Sequence, residues 1–139
     1  MDIKFLNVDL EIESSADLSP LVAALQDDMV MLYVGPAEAG GDLATFELVE
    51  ECGNPDGTIL GFCHLIEKLP LEAAKLWREA RRKAFDIGYE CGDTPHALQS
   101  ELTCAALRRV ADLGAFLSMT IYPKADPEQQ SADGEGVGI

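Results

Sequence analysis

Residues 6–13 read Leu6-Asn7-Val8-Asp9-Leu10-Glu11-Ile12-Glu13, an unbroken alternation of apolar and polar side chains. Successive side chains of a β-strand point to opposite sides of its sheet, so this stretch predicts a strand with one buried and one open face. The apolar residues belong to the buried face, and Asp9, Glu11 and Glu13 belong to the open face. A sheet covered by helices on one side only would bury one set and leave the other in water.

Outward from this strand, the pattern predicts the order β-α-β-β-α-β-α-β, with the second helical region broken at Pro70. The expected elements after the first strand are a short helix through Leu25, a central strand Met29–Val34, a strand Leu43–Glu51, a helix Thr58–Lys68 with a second helix after Pro70, a strand Phe85–Glu90, a helix Pro95–Leu113 ended by Gly114, and a strand Phe116–Tyr122. The first six elements match the split β-α-β plan of ferredoxin-like folds. We therefore predict an α+β two-layer sandwich with a ferredoxin-like core, an additional C-terminal α-β unit and a mainly antiparallel sheet.

The chain has 139 residues, which is enough for one domain with its own core. We expect that α+β domain to occupy residues 1–125. Residues 126–139 carry little to bury and predict an acidic, flexible tail. The four cysteines and the absence of an export signal at the start predict a cytoplasmic protein, and no apolar run approaches the ~20 residues that cross a bilayer.

Negative charge is concentrated in the first part of the chain. Residues 1–60 hold thirteen acidic residues and one lysine, Lys4, whereas residues 61–125 hold eight acidic and nine basic residues, and the last fourteen add four acids. These counts give −12, +1 and −4, which sum to the net charge of −15. Such a field repels nucleic-acid backbones and anionic membranes, so we expect neither as a partner.

The cysteines and histidines supply the one arrangement that could carry chemistry. The segments Phe46–Asn54 and Phe85–Asp93 share the form F-x-[LI]-x-x-E-C-G-[ND], which places Cys52 and Cys91 after two predicted strands. His96 follows Cys91 closely. The shared form reflects either residues that suit the turn after a strand or a functional site that was duplicated. No pair of cysteines has the spacing of a zinc module, and we expect no metal, cofactor or catalytic residue.

The only concentration of positive charge is formed by Arg78, Arg81, Arg82 and Lys83. We expect these residues in the last turns of a helix, where cations offset the partial negative charge of the helix end and pair with Glu79. They would then leave the acidic strand without a basic neighbour.

Strand alternation also predicts which residues accompany the acidic strand on the open face. The expected partner-binding residues are Asp9, Glu11, Glu13, Glu47, Asp86 and Tyr122. Like charges facing one another across strands destabilise a sheet, and solubility alone does not require them. This face is either a partner surface or a solvated face.

The stretch from Asp17-Leu18-Ser19-Pro20 to Ala111-Asp112-Leu113-Gly114-Ala115 and Ile121-Tyr122 loosely resembles small bacterial α+β domains. Some similar domains are immunity proteins that neutralise a toxin of the same cell. The resemblance implies a binding role and supplies no functional residue.

The sequence thus favours a non-enzymatic domain that presents an acidic sheet face to a basic protein partner, in the manner of an immunity protein. A second hypothesis is a small enzyme or metal-dependent domain that uses Cys52, Cys91 and His96. A third is a self-associating structural protein, a homodimer formed through an uncovered sheet edge or through the face near Tyr122. No motif in the sequence requires catalysis.

Overall fold

A computed structural model describes residues 2–50, 52–94 and 96–124. The described elements are β1 (Lys4–Ser14), α1 (Ser19–Leu25), β2 (Met29–Pro36), β3 (Asp42–Leu48), α2 (Pro55–Glu67), α3 (Leu71–Glu79), β4 (Arg82–Glu90), α4 (Cys104–Asp112) and β5 (Phe116–Tyr122). Their order is the predicted one, with the second helical region divided at Pro70. The predicted tail, residues 126–139, lies outside the described residues.

The strands form one open, mixed sheet in the order β2-β3-β1-β4-β5. β1 pairs antiparallel with β3 and with β4, and β2 pairs antiparallel with β3. β5 is parallel to β4. The prediction of an α+β protein is confirmed, and β1, the strand with the strict alternation, occupies the middle of the sheet.

The hydrophobic core lies between the sheet and the helices. Val8, Leu10 and Ile12 of β1 are completely buried, as the alternation predicted, and they share one cluster with residues of all four helices. The prediction was wrong for Leu6, which is exposed because the register with β4 shifts between Phe5 and Asn7. The ring of Phe62 in α2 lies 5.5 Å from that of Phe85 in β4. Complete burial of a side chain of this size contributes about 2–3 kcal/mol, so this contact layer holds the helices against one side of the sheet.

Arg78 lies in the last turn of α3, as predicted, but the prediction of a helix end was wrong for Arg81, Arg82 and Lys83. α3 ends at Glu79 because Ala80 is extended (φ −61°, ψ 138°), and the chain enters β4 at Arg82. Strand geometry sends neighbouring side chains to opposite faces. Lys83 therefore turns towards the helices, 5.6 Å from the centre of the Trp77 ring, while Arg82 turns to the open face.

The last helix is shorter than predicted and begins at Cys104 rather than at Pro95. Thr103 caps it by accepting a hydrogen bond from the amide of Ala106 (3.2 Å). The amide of Thr103 donates to Oδ1 of Asp56 at 2.7 Å, which ties the start of α4 to the first turn of α2. The predicted end of the helix is confirmed, since Gly114 has φ 71°, a conformation that favours glycine.

The prediction that Met29–Val34 is a central strand was also wrong. These residues belong to β2, which forms an outer edge of the sheet. Met29 is buried, but the five residues after it are exposed. A continuous apolar run is typical of a strand covered on both sides, and here no such cover is present among the described residues.

Candidate functional site

The side of the sheet that faces away from the helices is called the open face below. It carries the polar residues of β1, namely Asn7, Asp9, Glu11 and Glu13, all partly buried. By the strand register, Glu47 of β3 and Asp86 of β4 lie on the same side. Ser118, Thr120 and Tyr122 of β5 are there too, because they pair with Asp86, Gly88 and Glu90.

Three carboxylates meet in the middle of the open face and are called the acidic triad: Asp9, Glu47 and Asp86. Asp9 is directly opposite Asp86 in the pairing of β1 with β4. The side-chain amide of Asn7 donates to Oδ1 of Asp9 and to Oε2 of Glu47, each at 3.1 Å. One amide group therefore holds two of the three carboxylates side by side.

Asp86 is the most deeply placed member of the triad, with only 8% of its surface exposed. The hydroxyl of Ser118 donates to its Oδ1 at 2.6 Å, and the hydroxyl of Thr120 is 2.9 Å from both carboxylate oxygens. A buried carboxylate needs such donors, because an unsatisfied one would be strongly destabilising. β5 thus contributes the two hydroxyls that hold Asp86 in place.

The electrostatic consequence of this crowding appears at Asp9. Burial raises the pKa of the Asp9 carboxyl from 3.8 to about 6, and the negative charges of Glu47 and then Asp86 add to the increase. Both causes disfavour the ionised form. The raised pKa marks a place where a positive charge would be stabilising.

The outer acids of β1 have basic partners, contrary to expectation. Glu13 is 3.3 Å from the guanidinium of Arg81, and Glu11 is 3.4 Å from that of Arg82. Arg81 also donates to the backbone oxygen of Gly40. The two arginines reach the open face because the chain leaves α3 before them. The negative charge that lacks a basic partner therefore covers a smaller part of the open face than predicted, and it is centred on the triad.

Aromatic side chains border the triad on the side of β5. Tyr122 and Phe116 are about half exposed, and the Phe116 ring lies 5.5 Å from the guanidinium carbon of Arg82. A Cβ at Gly88 would lie 3.5 Å from the ring of Tyr122 and 3.1 Å from Oδ1 of Asn7, so the absence of a side chain there lets both approach the sheet.

Sequence reasoning missed two residues of this surface, Asn7 and Phe116. Both were open to prediction from alternation, since Asn7 precedes Val8 in β1 and Phe116 precedes Leu117 in β5.

The cysteines and histidines are distributed over the molecule. β3 and β4 run in the same direction on either side of β1, so Cys52 and Cys91 follow strand ends at the same end of the sheet. His96 lies at this same end of the sheet, with its Nδ1 3.2 Å from Oδ1 of Asp2 just before β1 begins, and its side chain is largely exposed. Cys63 is buried in the core, and burial raises the pKa of its thiol to about 11. In residues 2–50, 52–94 and 96–124, no group of three or more histidines, cysteines and acids is arranged to hold a metal ion.

The two E-C-G segments also differ in structure. After the first, Asn54 caps α2 by accepting a hydrogen bond from the amide of Gly57 at 2.7 Å. After the second, the described residues form no helix before Cys104. The shared sequence therefore serves helix capping in one copy only.

Comparison of the chain with protein-family models, with curated proteins and with solved structures finds no match. Among the described residues, every helix is too short or too polar to cross a bilayer.

Proposed function

We propose that this chain is a non-enzymatic binding protein whose open face receives a basic protein partner. The observation that carries the proposal is the acidic triad, where Asp9 faces Asp86 across paired strands and has a pKa raised to about 6. Like charges placed opposite each other destabilise a sheet, and folds retain such local conflicts at functional sites. An immunity-type role, with a toxin as the partner, is the form that the weak resemblance suggests.

A lysine or arginine of the partner would supply the charge that the triad lacks. A guanidinium can donate parallel hydrogen bonds to a carboxylate, and Asp9 and Glu47 are held side by side by Asn7. Binding of a cation would lower the pKa of Asp9 back towards its ordinary value. The triad is therefore expected to contribute to association rate and to the choice of partner.

The rest of the open face suits a protein surface rather than a small molecule. It is a sheet face that lacks a covering layer among the described residues, whereas small-molecule sites are concave and mostly apolar. Tyr122 and Phe116 are exposed next to the triad, and aromatic residues are enriched where proteins bind one another. Glu11 and Glu13, which are paired with arginines, lie at the border of this surface. We expect them to contribute less than the triad to binding of the partner.

The experiment that tests the proposal is a comparison of binding by the chain and by the double variant Asp9→Asn/Glu47→Gln. The probes are the purified products of neighbouring genes that are captured at low salt. We expect the double variant to associate at least tenfold more slowly and to lose most of the salt dependence of the association rate.

A matched control is the double variant Glu72→Gln/Glu79→Gln. It changes the net charge by the same two units at exposed positions of α3, away from the open face. An association rate that falls equally in both double variants would show a general charge effect and would contradict the assignment to the triad.

We propose in addition that the first four strands form a ferredoxin-like core. β1 and β2 run in the same direction with β3 between them, and β3 and β4 likewise enclose β1, which is the arrangement of two split β-α-β units. The four free cysteines support the proposal that the protein works in the reducing cytoplasm.

A further inference from the structure

The strands β1 and β3 separate before either of them ends. Their pairing stops at Leu10 opposite Phe46, although β1 begins at Lys4 and β3 continues to Leu48. The last residues of β3 still pair with β2, and the first residues of β1 still pair with β4. The sheet therefore has a gap beside the first half of β1, where the chain leaves β3 on its way to α2.

A cleft with a volume of about 160 Å³ occupies this gap and is called the β1–β3 cleft below. Phe5 and Val8 of β1 and Leu48 of β3 give it apolar walls. For comparison, an apolar cavity of about 150 Å³ can hold a molecule of benzene. The cleft therefore has room for one extended side chain, but not for a strand or a helix.

The two ends of the cleft differ in chemistry. The exposed residues Leu6 and Cys52 border it at the end of the sheet. Asn7 and Glu47 border it on the side of the acidic triad. A side chain that lies along the cleft would contact apolar groups over most of its length and reach carboxylates at its tip.

The carboxylates at this end have oxygen atoms that are free to accept hydrogen bonds. The amide of Asn7 donates to Oδ1 of Asp9 and to Oε2 of Glu47. No other described residue donates to either carboxylate. Every buried side-chain oxygen of the described residues has a hydrogen-bond partner, so Oδ2 of Asp9 and Oε1 of Glu47 are open to solvent. Asp86 differs, because the Thr120 hydroxyl lies 2.9 Å from both of its oxygens.

We propose that the β1–β3 cleft receives one arginine side chain of the basic partner, whose guanidinium contacts the free oxygens of Asp9 and Glu47. This inference rests on the proposed function, because it assigns a position to the partner's positive charge. The methylene groups of arginine pack against apolar surface while the charged group remains at a polar end. A guanidinium is a planar group with five donors and can contact two carboxylates at once, whereas the ammonium of lysine is a compact and more strongly hydrated charge.

The cysteines allow the cleft to be blocked chemically. The chain Cys91→Ser/Cys104→Ser keeps the exposed thiol of Cys52, which borders the cleft. The matched control, Cys52→Ser/Cys91→Ser, keeps the exposed thiol of Cys104 at the start of α4. Both retain Cys63, which is buried. Benzyl methanethiosulfonate attaches a benzyl group to the exposed thiol through a disulfide, and a reductant removes it again.

The measured quantity is the affinity for a fluorescent hexapeptide of arginine, determined by anisotropy at low salt. We expect the benzyl group on Cys52 to weaken binding about tenfold, since it takes the place of a buried anchoring side chain, and reduction should restore the affinity. The same group on Cys104 should leave the affinity unchanged. A hexapeptide of lysine should bind the unaltered chain about fivefold more weakly than the arginine peptide.

The double variant Asp9→Asn/Glu47→Gln separates this inference from the proposed function. If this variant loses the peptide while the benzyl group on Cys52 has no effect, the triad remains the binding surface and the assignment of an arginine to the cleft is overturned. If the double variant binds the peptide as tightly as the unaltered chain does, the proposed function itself is contradicted. Equal weakening by the benzyl group on Cys52 and on Cys104, or equal affinities for the two hexapeptides, would also overturn the assignment.

Discussion

At the scale of single residues, the centre of the sheet places negatively charged carboxylates opposite and beside one another. Asp9 is opposite Asp86, and Glu47 is held beside Asp9 by the amide of Asn7. Ser118 and Thr120 satisfy Asp86 with hydroxyls rather than with a positive charge. The described residues therefore provide hydrogen-bond donors to the triad but no counter-ion, which distinguishes the triad from Glu11 and Glu13 of β1.

The pKa of Asp9 predicts how stability depends on pH. Below about pH 4 the Asp9 carboxyl is protonated in the folded and the unfolded chain, so repulsion between the carboxylates does not lower the free energy of unfolding. Between pH 4 and pH 6 the unfolded chain releases the proton while the folded chain keeps it, so the free energy of unfolding falls as pH rises. Above pH 6 the carboxyl is ionised in both states, and the free energy of unfolding is lowered by the full amount.

Replacement of Asp9 by asparagine should therefore stabilise the protein at high pH. We expect Asp9→Asn to increase the free energy of unfolding by about 1 kcal/mol at pH 8, since partial exposure screens the repulsion, and by nearly nothing at pH 3.5. Urea denaturation at both pH values measures the difference. Glu72→Gln, on an exposed helix surface, is the control and should show no such dependence. A destabilised Asp9→Asn at pH 8 would contradict the electrostatic account.

The residues of the open face could be predicted only in part from the sequence. Alternation placed Asp9, Glu47 and Asp86 on one side of the sheet, because the side-chain period of a strand is two. It did not reveal that Arg81 and Arg82 would reach Glu13 and Glu11. That pairing depends on where α3 ends, and helix-forming and strand-forming residues follow one another there without a clear boundary.

At the scale of elements, contacts distant in sequence determined the features that local patterns missed. Thr103, the residue that caps α4, is held in place by Asp56 of α2, which accepts hydrogen bonds from its amide and its hydroxyl. Because Asp56 is distant in sequence, no pattern within residues 95–113 predicts this contact. The apolar run in β2 was likewise compatible with a central or an edge position, because strand order is set by pairing across the whole sheet.

The cap of α4 allows a direct test at this scale. Thr103→Ala removes the hydroxyl that accepts from the amide of Ala106 and donates to Asp56, and we expect a loss of about 1 kcal/mol in the free energy of unfolding. Ser100→Ala, at an exposed position before the helix, should have little effect. Thermal unfolding of both variants at pH 7 measures this. Equal stabilities would contradict the assignment of Thr103 as the cap.

At the scale of the whole molecule, the charge of −15 divides into parts with different roles. Some acids are neutralised within the fold, as Glu67 is by a two-point contact with Arg109 at 2.7 and 3.0 Å. The triad is the part that combines burial, proximity and the absence of a counter-ion among the described residues, and our proposed function depends on it.

The most direct test of that claim is a titration of the isotope-labelled chain with a short arginine-rich peptide, followed by the amide resonances in low salt. The account predicts that the largest shifts occur at residues 7–11, 45–47, 84–88 and 118–120, and that Asp9→Asn/Glu47→Gln removes them. Shifts that follow exposed acids such as Asp27 and Asp28, or that persist in the double variant, would contradict a binding surface centred on the acidic triad.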